Sequence, residues 1–193
     1  MNTKEFIKTY DNVLEWEILS SFIKVMNKKK FEDAGLVSDT TINEKQVVDK
    51  KIRKTQFLNF NHPNDSLTNL HWGNFLRSRF KPFINSYIQE FSHNPNTKFV
   101  KAIIDMQCLK YEEGGHYVYH IDSAYEVPRC LSMILMLNND YEGGNLKFKF
   151  PDEEIEIEKR PNRLIIWPSS FMYPHCVTPI EKGIRYSIVA WAL

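Results

Sequence analysis

The spacing of apolar residues changes character near residue 100. Before that point the period is mostly helical. Leu14, Ile18, Phe22 and Val25 recur at steps of three and four, the repeat that places side chains on one helix face. Asp11 or Asn12 is the expected cap at its start. A second run, Trp72, Leu76, Phe80, Phe83, Tyr87 and Phe91, predicts a longer helix that Pro82 kinks or divides. Between the two lies a polar stretch, 37–61, with a weak strand signal at Thr55, Gln56, Phe57 and Leu58.

After residue 100 the pattern becomes short apolar runs separated by turn residues. The expected strands are 103–111, 117–122, 130–138, 145–150, 154–158, 163–167, 171–177 and 184–191. Leu146, Phe148 and Phe150 alternate with polar residues, as one face of a half-buried strand does. Turn chemistry sits at Asn139-Asp140 through Gly143-Gly144, at 159–162, and at Glu181-Lys182-Gly183. So many short strands at this spacing predict a β-sandwich or jelly roll, with the preceding helices covering one sheet. The chain is therefore expected to be mostly β with N-terminal helices.

Composition narrows the class. A chain of 193 residues suits one domain, and 42% hydrophobic with 13% aromatic residues allows a packed core. The formal charge of +1, from 25 basic and 24 acidic residues, gives no field that would gather a polyanion, so nucleic acid is not an expected partner. The basic runs at 28–30 and 50–54 read as solvated surface. Cys108, Cys130 and Cys176 are odd in number and form no CxxC pair, which favours a reducing compartment over a disulfide framework. The segment MNTKEFIKTY has no apolar run of the signal-peptide kind, and no apolar run is long enough to span a bilayer. The expected location is the cytoplasm, with no membrane partner.

Three features carry chemistry. His120 and Asp122 are two apart, so an extended chain points both side chains to one side, toward a shared metal. His175 lies between apolar strand residues in Tyr-Pro-His-Cys-Val. Either feature alone is an ordinary surface pair or core histidine. Together they offer two imidazoles and one carboxylate, the facial set that suits non-haem iron(II) and leaves positions open. Arg185 begins the last strand and shares a face with Ser187, Val189 and Trp191, while Ile184, Tyr186, Ile188 and Ala190 share the other. With both faces apolar, Arg185 is expected to be buried and in need of an anion. A bound carboxylate would meet that need, with Ser187 as a further donor, and so would an acidic side chain from elsewhere in the chain.

At residues 107–191 the sequence resembles the iron(II)- and 2-oxoglutarate-dependent oxygenases, in their prolyl 4-hydroxylase-like branch. Tyr111, Gly114, Tyr117, His120 and Asp122 match the signature Tyr-x-x-Gly-x-x-Tyr-x-x-His-x-Asp. The run from Arg129 to Asn138 matches the strand that follows, and Gly143-Gly144-Asn-Leu146-Lys-Phe148 matches the next turn. Arg163 to Pro168 with His175 match the distal-histidine hairpin, and Gly183-Ile-Arg185-Tyr-Ser187 with Trp191 match the co-substrate strand.

The resemblance implies a double-stranded β-helix of the jelly-roll, cupin-like kind, with residues 101–193 as catalytic core and 1–100 as helical support and lid. It implies iron held by His120, Asp122 and His175. Arg185 takes the distal carboxylate of 2-oxoglutarate, Tyr111 donates to the same co-substrate, and Ser187 assists. Fe(II), 2-oxoglutarate and O2 are the implied cofactor and co-substrates, with ascorbate a further candidate. The implied reaction is hydroxylation of an unactivated C–H bond, of a prolyl residue in a peptide or protein or, alternatively, of a free amino acid or other small molecule. The carboxylate of Asp122 favours hydroxylation over halogenation, since related halogenases lack it. Tyr186 to Leu193 holds no second arginine, unlike the nucleic-acid dealkylating branch. A non-catalytic jelly roll with a structural metal is the alternative from a different class. Oligomeric state is left open.

Other residues take plainer readings. His116 falls at a signature position without a metal role, His62, His71 and His93 lie in the loosely matched half, and alternation aims Cys176 away from the metal. Stretches 36–61 and 123–128 are expected to border the cavity mouth and to move more than the strands. Arg53, in the first of these, is a candidate substrate contact.

Overall fold

The computed structural model describes residues 3–35, 48–60, 66–91, 100–124 and 127–193. A single 3-10 turn (Thr3–Phe6) and strand β1 (Lys8–Asp11) precede helix α1 (Trp16–Met26). Short strands β2 (Glu32–Asp33), β3 (Arg53–Lys54) and β4 (Gln56–Asn59) follow, then helix α2 (Leu67–Phe91). The remaining strands are β5 (Ile103–Tyr111), β6 (His116–His120), β7 (Leu131–Met136), β8 (Glu142–Gly143), β9 (Leu146–Lys149) and β10 (Glu154–Glu156). The last four are β11 (Arg163–Pro168), β12 (His175–Val177), β13 (Ile180–Lys182) and β14 (Arg185–Ala192).

Both helices form where the period predicts, but the details differ. The buried stripe of α1 is Leu19, Phe22 and Met26, one step away from Ile18 and Val25. Its N-cap is Glu15, not Asp11 or Asn12, and Glu15 makes no side-chain cap bond. Asp11 is drawn instead into strand β1, where Arg163 takes its carboxylate. Pro82 leaves α2 undivided over 25 residues. Buried Leu76, Phe80, Ile84 and Tyr87 form its inner stripe. No described helix is long and apolar enough to cross a membrane.

The strands build a seven-stranded sheet, β1-β11-β7-β14-β5-β4-β2, and a five-stranded sheet, β10-β9-β12-β6-β3, with β8 and β13 paired separately. Every pairing is antiparallel. Strand β14 shows how sequence alternation partitions the core. Tyr186, Ile188, Ala190 and Ala192 enter a cluster with Phe22, Met26, Leu76 and Phe80 of the helices. Val189 enters a second cluster with Leu109, Ile134 and Trp167 of the large sheet and Leu146, Phe148 and Val177 of the small one. The large sheet thus presents one face to α1 and α2 and the other to the small sheet. Full burial of side chains such as Phe80, Phe148 and Ile188 contributes about 1.5–3 kcal/mol each before entropy is counted.

Asn162 ties the N-terminal segment to this frame. It is fully buried and sits in the left-handed region at φ 64°, which asparagine tolerates. Its side chain accepts from the Leu14 amide at 2.9 Å and donates to the Leu14 carbonyl at 2.6 Å.

Candidate metal centre and anion pocket

Strands β6 and β12 bring two of the expected ligands together. His120 and His175 are paired directly across the small sheet, and their ring centroids are 4.2 Å apart. Strand β6 ends at His120, so Asp122 follows in a bend rather than in the extended strand the sequence suggested. It still turns inward. Asp122 Oδ1 lies 3.7 Å from His120 Nε2 and Asp122 Oδ2 lies 3.4 Å from His175 Nε2. The three ligand atoms all lie within 4.8 Å of one another. Donors bonded at ~2.1 Å to one ion stand about 3 Å apart, so a small inward adjustment of these side chains would let them share one.

Each histidine has its other nitrogen committed. His120 Nδ1 donates to the Val118 carbonyl at 2.9 Å and His175 Nδ1 to the Tyr173 carbonyl at 3.1 Å. A carbonyl only accepts, so both protons sit on Nδ1 and both Nε2 lone pairs point to the shared space. Burial, and then the neighbouring His175, hold the His120 imidazole well below its ordinary pKa, so it is neutral and free to ligate. For Asp122, burial raises the carboxyl pKa, but the two histidines, Ser132 and Trp191 outweigh it and keep the group ionised.

The carboxylate is oriented from several sides. Ser132 Oγ donates to Asp122 Oδ2 at 2.7 Å and is itself hydrogen-bonded to Ser169 Oγ at 2.7 Å. The Trp191 side chain also bonds Asp122. Arg129 lies 3.8 Å over the Trp191 ring, donates to the Asp122 main-chain oxygen at 3.2 Å, and reaches Asp105 Oδ2 at 3.1 Å.

Arg185 lies on the facing sheet. Its side chain is among the largest fully buried ones, at 1% exposure. Nη1 donates to Ser187 Oγ at 3.0 Å, and the guanidinium carbon stands 5.1 Å from the Tyr111 ring, on the residue paired with Arg185 across β5. Nε and Nη2 are buried with no partner. Among the described residues no acidic side chain pairs with it. A buried guanidinium left in this state costs several kcal/mol, unless a ligand supplies an acceptor. Two free N–H groups on one planar fork match the two oxygens of a carboxylate. Ser187 accepts here from the guanidinium and orients it, which leaves the hydroxyl proton available to a ligand.

The glycine pair before β9 makes room for this arginine. Gly144 has φ 61°, and a Cβ there would meet Ile180 Cδ1 at 2.3 Å, Tyr141 Cε2 at 3.0 Å and Arg185 Cδ at 3.3 Å. The neighbouring Tyr141 hydroxyl is likewise buried without a partner.

Sequence reasoning singled out the three ligand residues, Arg185, Tyr111 and Ser187. It missed Ser132, Trp191 and Arg129 as supports of Asp122, and Tyr141 beside Arg185. A serine within an otherwise apolar strand, Leu131 to Met136, was the available signal for Ser132. His116 bonds the Gly114 and Lys51 carbonyls, away from the metal ligands. His71 stacks on Phe75 and meets Trp72 edge-on in α2, while His62 and His93 lie outside the described residues. Of the stretch 36–61, residues 48–60 are described, and β3 within it borders the ligand strand β6. Residues 36–47, 61 and 125–126 of the two expected mouth segments lie outside the described residues.

Comparison with known proteins points the same way. Residues 106–193 match the family model of the 2OG-Fe(II) oxygenase superfamily. A PKHD-type hydroxylase of Synechococcus sp. strain CC9902 is 38% identical over 96 residues, covering 48% of this chain and 42% of that protein. One from Alteromonas mediterranea is 28% identical over 127 residues, covering 59% and 55%. The chain thus spans roughly half or less of the length of these curated relatives. A Pseudomonas putida prolyl-4-hydroxylase has the same fold, with TM-score 0.71 at 18% identity over 97% of this chain and 92% of that one. A Trichoplax adhaerens prolyl hydroxylase, solved with a hypoxia-inducible-factor peptide fragment, gives TM-score 0.73 at 18% identity over 97% and 83%. The architecture is therefore the jelly roll of these hydroxylases.

Proposed function

Because residues 106–193 match the family model of the 2OG-Fe(II) oxygenase superfamily, we propose that this protein is a 2-oxoglutarate-dependent hydroxylase acting on a prolyl residue of a peptide or protein. The observation that carries the reading is the buried, half-satisfied Arg185 facing a preorganised His-Asp-His cluster. A structural metal site has no use for an unpaired buried guanidinium beside it, which disfavours a non-catalytic metal protein.

The residues fit the group the family uses. His120, Asp122 and His175 would hold Fe(II), each with its ligand atom free and its remaining hydrogen-bonding capacity occupied. Arg185 would take the far carboxylate of 2-oxoglutarate on Nε and Nη2, and Ser187 fixes the fork's orientation. Tyr111, beneath the guanidinium, would add a hydroxyl donor to the same co-substrate. When bound, the metal with 2-oxoglutarate and O2 supplies the oxidising power for C–H hydroxylation. The chain supplies orientation, imidazoles whose Nε2 atoms are free to ligate, and the packed apolar side chains of Leu109, Ile134, Phe148 and Trp167, which keep water from the site.

Residues 101–193 form the catalytic core in this reading, and helices α1 and α2 brace the large sheet. The prolyl assignment draws on two fold neighbours that are prolyl hydroxylases, one of them solved with a peptide. The three free cysteines suit a reducing cytoplasmic setting. The test is oxygen uptake and succinate formation with Fe(II) and 2-oxoglutarate, screened over prolyl peptides and free amino acids. Mass spectrometry is expected to show a peptide gaining one oxygen atom. Absence of succinate formation with every substrate class tried, in protein that binds Fe(II), would contradict the reading.

A further inference from the structure

A cation stands at the edge of the ligand cluster without an acidic partner among the described residues. Arg53 lies on edge strand β3, paired with Tyr117 of β6, so the two side chains leave the small sheet on the same face. Its guanidinium carbon is 4.8 Å from the Tyr117 ring centroid. Tyr117 in turn stacks on His120, with centroids 3.5 Å apart and planes at 17°. Arg53 is thus separated from a metal-ligating imidazole by one aromatic ring.

Two described acids of this region are committed elsewhere. Asp33 pairs with Lys50 at 2.8 Å and Glu112 with Lys110 at 2.5 Å. Arg129, the other arginine close to this corner, is held by Asp105, by the Asp122 main chain and by the Trp191 ring. Arg53 has only a neutral acceptor, the Gly35 carbonyl at 3.2 Å from Nη1, and its Nε is buried with no partner. Arg129 is thus paired, Arg185 is the residue assigned to 2-oxoglutarate, and Arg53 has no carboxylate partner among the described residues.

We infer that Arg53 is the anchor for a carboxylate carried by the substrate, on the oxidised residue itself or on its immediate neighbour. The inference rests on the oxygenase reading and deepens it by naming the substrate's chemistry. An extended chain advances about 3.3 Å per residue. A group held one ring's width from a metal ligand therefore belongs to the reacting residue or the next one. The carboxylate comes either from the main chain of a free amino acid or C-terminal residue, or from an Asp or Glu beside the target. Tyr117 gives the guanidinium a flat platform, which fixes the direction of the remaining N–H groups.

The experiment uses the full chain loaded with Mn(II) and 2-oxoglutarate, which holds the site without turnover, and reads binding by calorimetry. The probes are matched pairs: common free L-amino acids against their amides, and capped proline peptides with Glu or Asp against Gln or Asn on either side of the proline. One pair is expected to show a preference for the carboxylate of about 10- to 100-fold, the value of one charge-assisted contact. Which pair responds identifies the source. Arg53→Gln is expected to remove that preference while leaving the weak binding of the amide partner unchanged, and Arg53→Lys to restore part of it. General damage to the site would lower both members of a pair alike. Equal binding within every pair, or a preference that survives Arg53→Gln, overturns the anchor. Succinate formation in the wild-type chain with Fe(II), measured in parallel, shows whether the oxygenase reading stands apart from it.

Discussion

Two buried arginines on the large sheet are handled in opposite ways. Arg163, on β11, is 8% exposed and uses all its nitrogens. Nε and Nη2 take Asp11 at 2.7 and 2.9 Å, and Nη1 takes Glu158 at 3.0 Å. Arg185, two strands away on β14, is 1% exposed and uses one nitrogen of three. Burial of a guanidinium is costly in both places, so the difference lies in who supplies the anion. At the rim of the sheet the chain supplies it from β1. Between the sheets no described residue supplies it, and the free N–H groups of Arg185 lie beside Tyr111 and Ser187. A paired buried arginine marks structure, and an unpaired one marks a binding site.

Substitutions sharpen that contrast in a definite order. The largest expected effect is at the metal ligands. His175→Ala and Asp122→Ala are each expected to lower metal affinity by more than the roughly 10–100-fold that loss of an outer-shell partner costs, and to abolish succinate formation. Anaerobic metal titration measures this. Arg185→Ala comes next, weakening 2-oxoglutarate binding by about 2–5 kcal/mol while metal affinity survives. Because it relieves an unpaired buried charge, it is also expected to leave the chain no less stable by urea denaturation. Ser132→Ala, which frees one oxygen of Asp122, is expected to cost roughly 10–100-fold in metal affinity.

Arg163→Ala gives the opposite signature. It is expected to destabilise the chain by about 1–3 kcal/mol, since Asp11 loses both its bonds from Arg163 and keeps the one from Arg160, and to leave 2-oxoglutarate affinity unchanged. If Arg163→Ala weakened 2-oxoglutarate binding as strongly as Arg185→Ala, the two arginines would not differ in kind. The smallest effect is in pH dependence. Hydrogen bonding and charge from Arg163 hold the Asp11 carboxyl below its ordinary pKa. A depressed carboxylate contributes stability above its unfolded pKa of about 3.9 and loses it as pH falls through the lower folded value. Urea midpoints of the wild type are therefore expected to fall more steeply below about pH 4 than those of Arg163→Ala.

Much of the architecture was legible because the C-terminal half obeys local rules. The strand 103–111 appears with those limits, and the two faces of β14 divide as its alternation predicts. Elements held by distant partners were not legible. Strand β1, Lys-Thr-Tyr-Asp, has half-exposed polar positions and exists through its pairing with β11 some 150 residues later in the chain. Its Asp11 looked like a helix cap because capping is a local rule, while the ion pair that claims it is not. The site divides likewise. His120, Asp122, His175 and Arg185 stood out by residue type and spacing. The supports Ser132, Trp191 and Arg129 and the pairing of Arg53 with Tyr117 depend on strand register, which periodicity does not reveal.

The most direct measurement is an anaerobic absorption titration of the Fe(II)-loaded chain with 2-oxoglutarate. Chelation of 2-oxoglutarate to protein-bound Fe(II) produces a visible charge-transfer band, so one spectrum reports both groups in one place. The band is expected to saturate in the wild type, to be absent in Asp122→Ala, and to require far more 2-oxoglutarate in Arg185→Ala. A wild-type chain that binds Fe(II) but develops no band, or an Arg185→Ala chain that titrates like the wild type, would contradict the assignment of this cavity to Fe(II) and 2-oxoglutarate.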